Sequence, residues 1–100
     1  MSDSYYTLQA PGEAERTVDG SRFVAHARPV PDRAAAEASI GDVRDRRPKA
    51  THHCSAFRVS AEGTVVHYDD DGEPSGTAGR PILRQIDARD LTNTLVVVTR

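Results

Sequence analysis

The sequence predicts an α+β domain, a two-layer sandwich in which two helices cover one face of a mixed or antiparallel sheet. Its patterns follow one another as strands, a helix, a hairpin, a glycine-rich loop, a second helix and a last strand, an order typical of this class. The 100 residues, of which 37% are hydrophobic and 28% charged, fit one globular domain with a single modest core.

The first strands belong to the N-terminal third of the chain. Residues 1–19 are predicted to form an extension with an edge strand at 5–8, and the domain proper to span 20–100. A second strand is expected at 15–18. Alternation of apolar and other side chains over 23–27 predicts the next one.

Residues 32–47 have the periodicity of an amphipathic helix. Asp32 is suited to cap its first turn, and Pro48 ends it. The side chains spaced for one inward stripe are Ala36, Ile40, Val43 and Arg47.

The second half of the chain predicts a hairpin, a helix and a strand. The hairpin joins strands at 50–59 and 64–68 through a short glycine turn. A second helix is expected to begin between 77 and 81 and to run to about residue 90. The last strand, 94–99, is almost wholly apolar, which predicts a central strand buried on both faces.

Charge and composition restrict the classes of function. The net charge is −2, so the binding of any nucleic acid would need a local basic patch. No apolar run approaches the roughly 20 residues of a membrane span, and the first residues do not resemble a signal peptide. With Cys54 as the only cysteine, we expect a cytoplasmic protein without disulfides, without a membrane partner and without DNA as a partner.

The loop at residues 69–81 is the main candidate site, and its glycines and prolines restrict it to one shape. In one interpretation its N–H groups and the following helix bind an anion, with the ligands Ser75, Gly76, Thr77, Gly79 and Arg80. The preceding acids would repel a phosphate unless a divalent metal bridged them; the metal candidates are Asp70, Asp71 and Glu73. In the other interpretation the acids accept hydrogen bonds from loop amides and cap the helix. We expect no cofactor beyond such a metal.

His52 and Cys54 share one face of a predicted strand. Neighbours at this spacing stand roughly 6 to 7 Å apart, too far for a nucleophile and its base, so Cys54 is interpreted as a small buried hydrophobe. His52 is a candidate catalytic acid or base that could pair with Asp70, Asp71 or Glu73.

A basic cluster at the end of the first helix is formed by Arg44, Arg46, Arg47 and Lys49. These cations could contact RNA phosphates. They also complement the helix dipole and can pair with Asp42 and Asp45. A solvated helix end is therefore the favoured interpretation of the cluster.

Four segments match motifs of one known family: GSRFVA at 20–25, ATHHCSA at 50–56, DDGEPSGTAGRP at 70–81, and LTN at 91–93 followed by VVVTR at 96–100. They resemble the N-terminal domain of the YigZ/IMPACT family, and the loop segment is the most specific of them. His53 and Ser55 depart from the asparagine and tyrosine that are usual at these positions.

The resemblance implies a fold like domain 2 of ribosomal protein S5 and a connection to translation. Eukaryotic members resemble negative regulators that compete for the activator of a starvation-response kinase, which phosphorylates an initiation factor. A nucleic-acid- or ribosome-related role is usually proposed for bacterial and archaeal members, because other domains of this fold bind RNA. The family usually continues beyond the position of Arg100, so the chain is expected to be either truncated or an unusually short member. Since a missing helix would leave apolar sheet surface exposed, we expect a missing C-terminal part or a partner chain that completes the sheet, or else reduced stability.

Three functional hypotheses follow. The first is a non-enzymatic module that regulates translation or binds RNA, the ribosome or a translation-regulatory protein, with the glycine loop as its ligand or partner surface. The second is a hydrolase that uses His52 with Asp70, Asp71 or Glu73, with or without a metal, and requires these side chains to converge on a cavity. The third is a structural interaction domain whose partner completes the sheet at 96–100.

Overall fold

The computed structural model describes residues 6–50, 52–73, 76 and 78–100. Its elements are, in chain order, β1 (Gly12–Val18), β2 (Ser21–Pro29), α1 (Arg33–Arg46), β3 (His53–Val59), β4 (Val65–Asp69), α2 (Gly79–Ala88) and β5 (Thr94–Thr99). The α+β class predicted from the sequence is confirmed.

The five strands form one sheet in the order β1-β2-β5-β3-β4, and every neighbouring pair of these strands is antiparallel. β5 joins the hairpin β1–β2 to the hairpin β3–β4, since Thr99 lies opposite both Val24 and His53. The prediction of a central last strand is confirmed. Because both edges of β5 are paired within the chain, this strand offers no free edge at which a partner strand could complete the sheet.

α1 covers one face of the sheet and builds the main core there. The Asp32 carboxylate accepts a hydrogen bond of 2.8 Å from the amide of Ala35, which fixes the start of the helix. α1 ends one residue before Arg47, so the predicted span and cap are confirmed. The buried side chains of this core are Val30, Ala36, Val43, Phe57, Val59, Leu95 and Val97.

α2 packs on the opposite face, so the prediction that both helices cover one face is wrong. Side chains alternate along β3 and β5, which directs Cys54 and Val98 away from α1 and towards Ile82 of α2. Arg58 on the same face forms an ion pair with Asp87 of α2. β3 lies between the two helices, and most of its side chains are buried on both faces of the sheet.

Gly79 allows α2 to approach the sheet closely at its first turn. A Cβ atom at this position would lie 2.7 to 2.9 Å from the backbone N, O and C atoms of Asp69. Since ordinary contacts of a Cβ atom begin at about 3.4 Å, only glycine fits between α2 and β4.

The N-terminal strand differs from its prediction. β1 begins at Gly12 and is the edge strand of the sheet, whereas Tyr6 forms only an isolated bridge with Leu91. The edge strand expected at 5–8 is therefore wrong for residues 6–8, and Tyr5 lies outside the described residues. The second predicted strand, at 15–18, corresponds to the C-terminal half of β1.

The face of β2 and β5 that is turned towards α2 is only partly covered. Its side chains are half-buried, whereas those on the α1 face of the same strands, such as Val24 and Val97, are buried. The half-buried set is Phe23, Ala25, Ala27, Val96 and Val98. The least covered apolar surface of β2 and β5 therefore lies beside α2, and it is half-buried rather than fully exposed.

Candidate functional site

The carboxylate of Asp70 closes the acidic loop on itself. One oxygen accepts a hydrogen bond from the Gly76 amide (2.8 Å), and the other accepts from the amides of Ala78 (3.1 Å) and Gly79 (2.7 Å). These hydrogen bonds hold the pKa of Asp70 below its usual range, and those from the Gly76 and Gly79 amides have the largest effect. The carboxylate therefore caps α2, as the second interpretation of the loop expects.

The predicted anion ligands are only partly described. The amides of Gly76 and Gly79 donate to Asp70, so the groups that would bind a phosphate already have an anionic partner. Arg80 is exposed at the start of α2. Ser75 and Thr77 lie outside the described residues, and their assignment as ligands stays a prediction.

Asp71 ties the loop to the sheet and to α1. One carboxylate oxygen accepts a hydrogen bond of 2.8 Å from the amide of His53, and the other lies 3.1 Å from the Arg44 guanidinium. Burial raises the pKa of Asp71, but the His53 amide and Arg44 together outweigh burial and leave the pKa below its usual value. Asp71 is thus a structural anion rather than a proton donor near neutral pH.

His52 contacts two groups of the loop. Its Nδ1 lies 2.6 Å from the carbonyl oxygen of Asp71, and because a carbonyl only accepts, Nδ1 donates there. Its Nε2 lies 3.6 Å from a carboxylate oxygen of Glu73, which also accepts a hydrogen bond of 2.9 Å from Arg100. Gly72 makes room for the ring, because a Cβ atom at this position would lie 3.3 Å from the imidazole of His52. Its φ of +89° also favours glycine. Of the three acids considered for His52, Glu73 is the one whose side chain faces it.

Cys54 is in the environment of a structural thiol. It is 5% exposed, and its Sγ donates to the carbonyl oxygen of Asp70 at 3.2 Å. Burial, followed by the nearby acids, raises the pKa of Cys54 to about 11. The thiol is therefore protonated at neutral pH and is a poor nucleophile.

The cavity beside the acidic loop is mostly apolar. It measures about 480 Å³ and is lined by Phe23, Cys54, Glu73, Ala78, Ile82, Val98 and Arg100. His52, Asp70 and Asp71 are not among its lining residues. Within the part of the chain that the structure describes, no three His, Cys, Asp or Glu side chains converge as a metal site requires.

A second cavity brings cations together from distant parts of the chain. It measures about 380 Å³ and lies between the end of α1 and the adjoining ends of β2 and β5. We call its five cationic side chains the basic groove: Arg22, Arg46, Arg47, Lys49 and Arg100. Sequence patterns identified three of them, whereas Arg22 and Arg100 join them only because Val24 pairs with Thr99 in the sheet. Arg44, the fourth member of the predicted cluster, faces Asp71 instead.

Most cations of the basic groove have a carboxylate partner at the surface. Arg46 lies 3.2 Å from Asp42, Arg47 lies 2.9 Å from Glu13, and Arg22 pairs with Glu15. Exposed pairs of this kind contribute about 0–1 kcal/mol each. The guanidinium groups can therefore exchange a carboxylate for a phosphate at little cost.

Comparisons with known proteins point to one family. The model of the Impact N-terminal domain matches residues 19–100. The chain is 39% identical over 100 residues to the IMPACT family member YvyE of Bacillus subtilis, of which it covers 46%. It is 33% identical over 100 residues to the IMPACT family member YigZ of Escherichia coli, of which it covers 49%.

A eukaryotic relative and a solved structure extend these matches. The chain is 36% identical over 86 residues to the yeast protein named IMPACT homolog, of which it covers 33%. A crystal structure described as that of a hypothetical protein superimposes with a TM-score of 0.96 at 32% identity, over all of this chain and 50% of the other. The chain thus spans about half the length of the bacterial relatives. Neither helix among the described residues is long and apolar enough to cross a membrane.

Proposed function

The chain belongs to the Impact N-terminal domain family, and from that premise we propose that it is a translation-linked, non-enzymatic module that binds RNA, including RNA of the ribosome, through the basic groove. The link to translation rests on the resemblance to the YigZ/IMPACT family. We place the function in the cytoplasm, where translation takes place. The binding surface rests on the charges of the groove.

The observation that supports this proposal is the convergence of five cations on a protein whose net charge is −2. They come from the start of β2, the end of α1, the segment after it and the residue that follows β5. Lys and Arg side chains that neutralise phosphates release counterions, which supplies most of the affinity for a nucleic acid backbone. Arg22 and Arg100 line the groove from the sheet, and Arg46, Arg47 and Lys49 line it from the end of α1 and the segment after it. In this proposal one RNA strand lies between the two sets.

The acidic loop is the weaker place for an RNA backbone. Asp70 already occupies the amides at the start of α2, and Asp71 and Glu73 add negative charge beside it. A phosphate diester approaching this loop would have to displace a carboxylate that is covalently part of the chain. We therefore propose the basic groove, and not the loop, as the RNA-binding surface.

The experiment is fluorescence anisotropy with a 12-nucleotide single-stranded RNA over a range of salt concentrations. If all five cations contact phosphates, the logarithm of the binding constant falls with the logarithm of salt with a slope of about −3.5. Lys49→Ala and Arg22→Ala each reduce the steepness of that slope by about 0.7 and weaken binding. Arg84→Ala, which removes an exposed cation from α2, is the matched control and leaves binding unchanged.

Two results would contradict the proposal. One is the absence of salt-dependent association with both the RNA and purified ribosomes. The other is a loss of affinity in Arg84→Ala equal to that in Lys49→Ala, since this would indicate attraction by overall charge and not by the groove.

The hydrolase hypothesis stays as the alternative proposal, supported by the placement of His52 beside Glu73. The engagement of Asp70 and Asp71 by backbone amides weighs against it. If the protein hydrolyses a phosphate ester or a peptide and Glu73→Gln abolishes this activity while the fold is retained, the alternative is favoured.

A further inference from the structure

A third cavity adjoins the basic groove and differs from it in shape and chemistry. It measures about 460 Å³ and lies between β1, β2 and the end of α1, where Pro11 and Gly12 form part of its wall. We call its ionisable side chains the arginine pocket: Glu13, His26, Arg28, Arg46 and Arg47. Arg46 and Arg47 line both the basic groove and the arginine pocket, so the two cavities share a wall.

We infer that the arginine pocket receives the terminal phosphate monoester of an RNA strand whose backbone lies in the basic groove. This inference rests on the proposed RNA binding and assigns a specificity to it. Because Arg46 and Arg47 line both cavities, the end of a strand that lies in the groove can reach the pocket.

The guanidinium groups of the pocket are held in place by neighbouring side chains. Arg28 donates to Asp42 at 2.9 Å and Arg46 donates to the same carboxylate at 3.3 Å, so Asp42 holds the two guanidiniums side by side. Arg28 is also the better buried of the two, with 21% of its side chain exposed against 69% for Arg46. A phosphate that enters the pocket therefore meets two adjacent guanidinium groups.

Arg47 is held by two partners from the sheet. Its Nε donates to Nε2 of His26 at 3.3 Å, and its Nη2 donates to Glu13 at 2.9 Å. His26 is 9% exposed, so its imidazole provides a fixed acceptor at the base of the pocket. A guanidinium has five N–H groups, and these two contacts leave others available to a phosphate.

The charge of the pocket favours a terminal phosphate over an internal one. Three guanidiniums face the two carboxylates of Glu13 and Asp42, which leaves a net charge of one positive unit when His26 is neutral. An internal phosphate diester carries a single negative charge, whereas a phosphate monoester carries about −1.5 to −2 near pH 7 and has three acceptor oxygens. Arginine is suited to such a group because it binds two oxygens at once.

The experiment compares one 12-nucleotide RNA sequence in three forms, with a 5′-phosphate, with a 3′-phosphate and with hydroxyl groups at both ends. We expect one phosphorylated form to bind about tenfold more tightly than the hydroxyl form. Arg28→Gln abolishes this preference but leaves the affinity for the hydroxyl form unchanged, because Arg28 lines the pocket and not the groove. Lys49→Ala weakens all three forms by the same factor.

A second variant keeps the test informative if Arg28→Gln does not fold. Glu13→Gln removes a negative charge from the exposed rim of the pocket and is expected to increase the preference for the phosphorylated form. Equal affinity for all three forms would overturn the inference while leaving RNA binding by the groove intact. If no form binds, both proposals fail. If a nucleoside monophosphate competes as well as the phosphorylated RNA does, the pocket belongs to a free nucleotide and the strand is not part of recognition.

Discussion

The contact between α2 and β4 gives the sharpest prediction for stability. In Gly79→Ala, the new methyl group would lie 2.7, 2.8 and 2.9 Å from the N, O and C atoms of Asp69. These are backbone atoms of a paired strand, so they cannot rotate away, and α2 has to move off the sheet. Overpacking costs about 1–3 kcal/mol, and three backbone contacts place this site near the upper end. Subtracting a gain in helix propensity of up to about 1 kcal/mol leaves a net loss of about 2 kcal/mol.

Thermal unfolding followed by circular dichroism measures this loss. For a domain of this size, about 2 kcal/mol corresponds to a fall in Tm of about 8–16 °C. Gly41→Ala in α1 is the matched control, because a Cβ there meets nothing within 4 Å. It is expected to stabilise the protein by about 0.5–1 kcal/mol. An unchanged or raised Tm in Gly79→Ala would refute the close packing of α2 on β4.

Two further predictions concern the groups around the acidic loop. The pKa of Asp70 is lowered in the folded protein because the amides of Gly76, Gly79 and Ala78 bind its charged form. The stability that Asp70 contributes is therefore fully present above the unfolded pKa of about 3.9, and it is lost as the pH falls through the lower folded pKa. Urea unfolding of Asp70→Asn should therefore show a lower midpoint than the parent protein at pH 7, and a smaller fall of that midpoint between pH 4 and pH 2. If the midpoints of the two proteins fell in parallel with pH, the role of Asp70 as the cap of α2 would be contradicted. Cys54 has a pKa of about 11, so we expect a disulfide reagent at pH 8 to label it at least about 100-fold more slowly than an exposed thiol. Unfolding the protein in urea should remove this difference. Rapid labelling of the folded protein would contradict the burial of Cys54.

The elements that the sequence predicted correctly are those determined by residues within the element itself. α1 follows from the spacing of Ala36 and Val43 and from the cap at Asp32, all of which lie within one segment. The central position of β5 follows from its continuous run of apolar residues, although Val96 and Val98 on the face turned towards α2 are only half-buried. In both cases the physical reason is contained in consecutive residues.

The placement of α2 could not be predicted in the same way. β3 is buried on both faces, but polar His53 and Ser55 alternate with small Cys54 and Ala56, so the strand has no apolar run that would indicate two covering layers. The partner of Gly79 in its close contact could not be predicted either, because only the folded chain brings the backbone of Asp69 next to it.

For the sites, too, sequence patterns identified groups of residues that lie close together in the chain, but not the contacts that depend on the fold. Sequence identified the acids of the loop, but which carboxylate turns inward depends on the path of the backbone: Asp70 binds the start of α2, Asp71 binds β3, and Glu73 faces His52. For the basic groove, Arg22 and Arg100 are far apart in the chain and become neighbours only through the register between β2 and β5. No local pattern encodes that register.

The position of β5 has a consequence for how the protein is made. β5 is synthesised after both hairpins, yet it is the strand that holds them together. Until it is in place, the inner edges of β2 and β3 are unpaired, and a nascent chain in that state presents two strand edges to its neighbours. Closing these long-range contacts is also the slow step expected for such a topology. Because Arg22 and Arg100 meet only across the β2–β5 pairing, a complete basic groove exists only once the sheet has closed, and an incompletely folded chain lacks it.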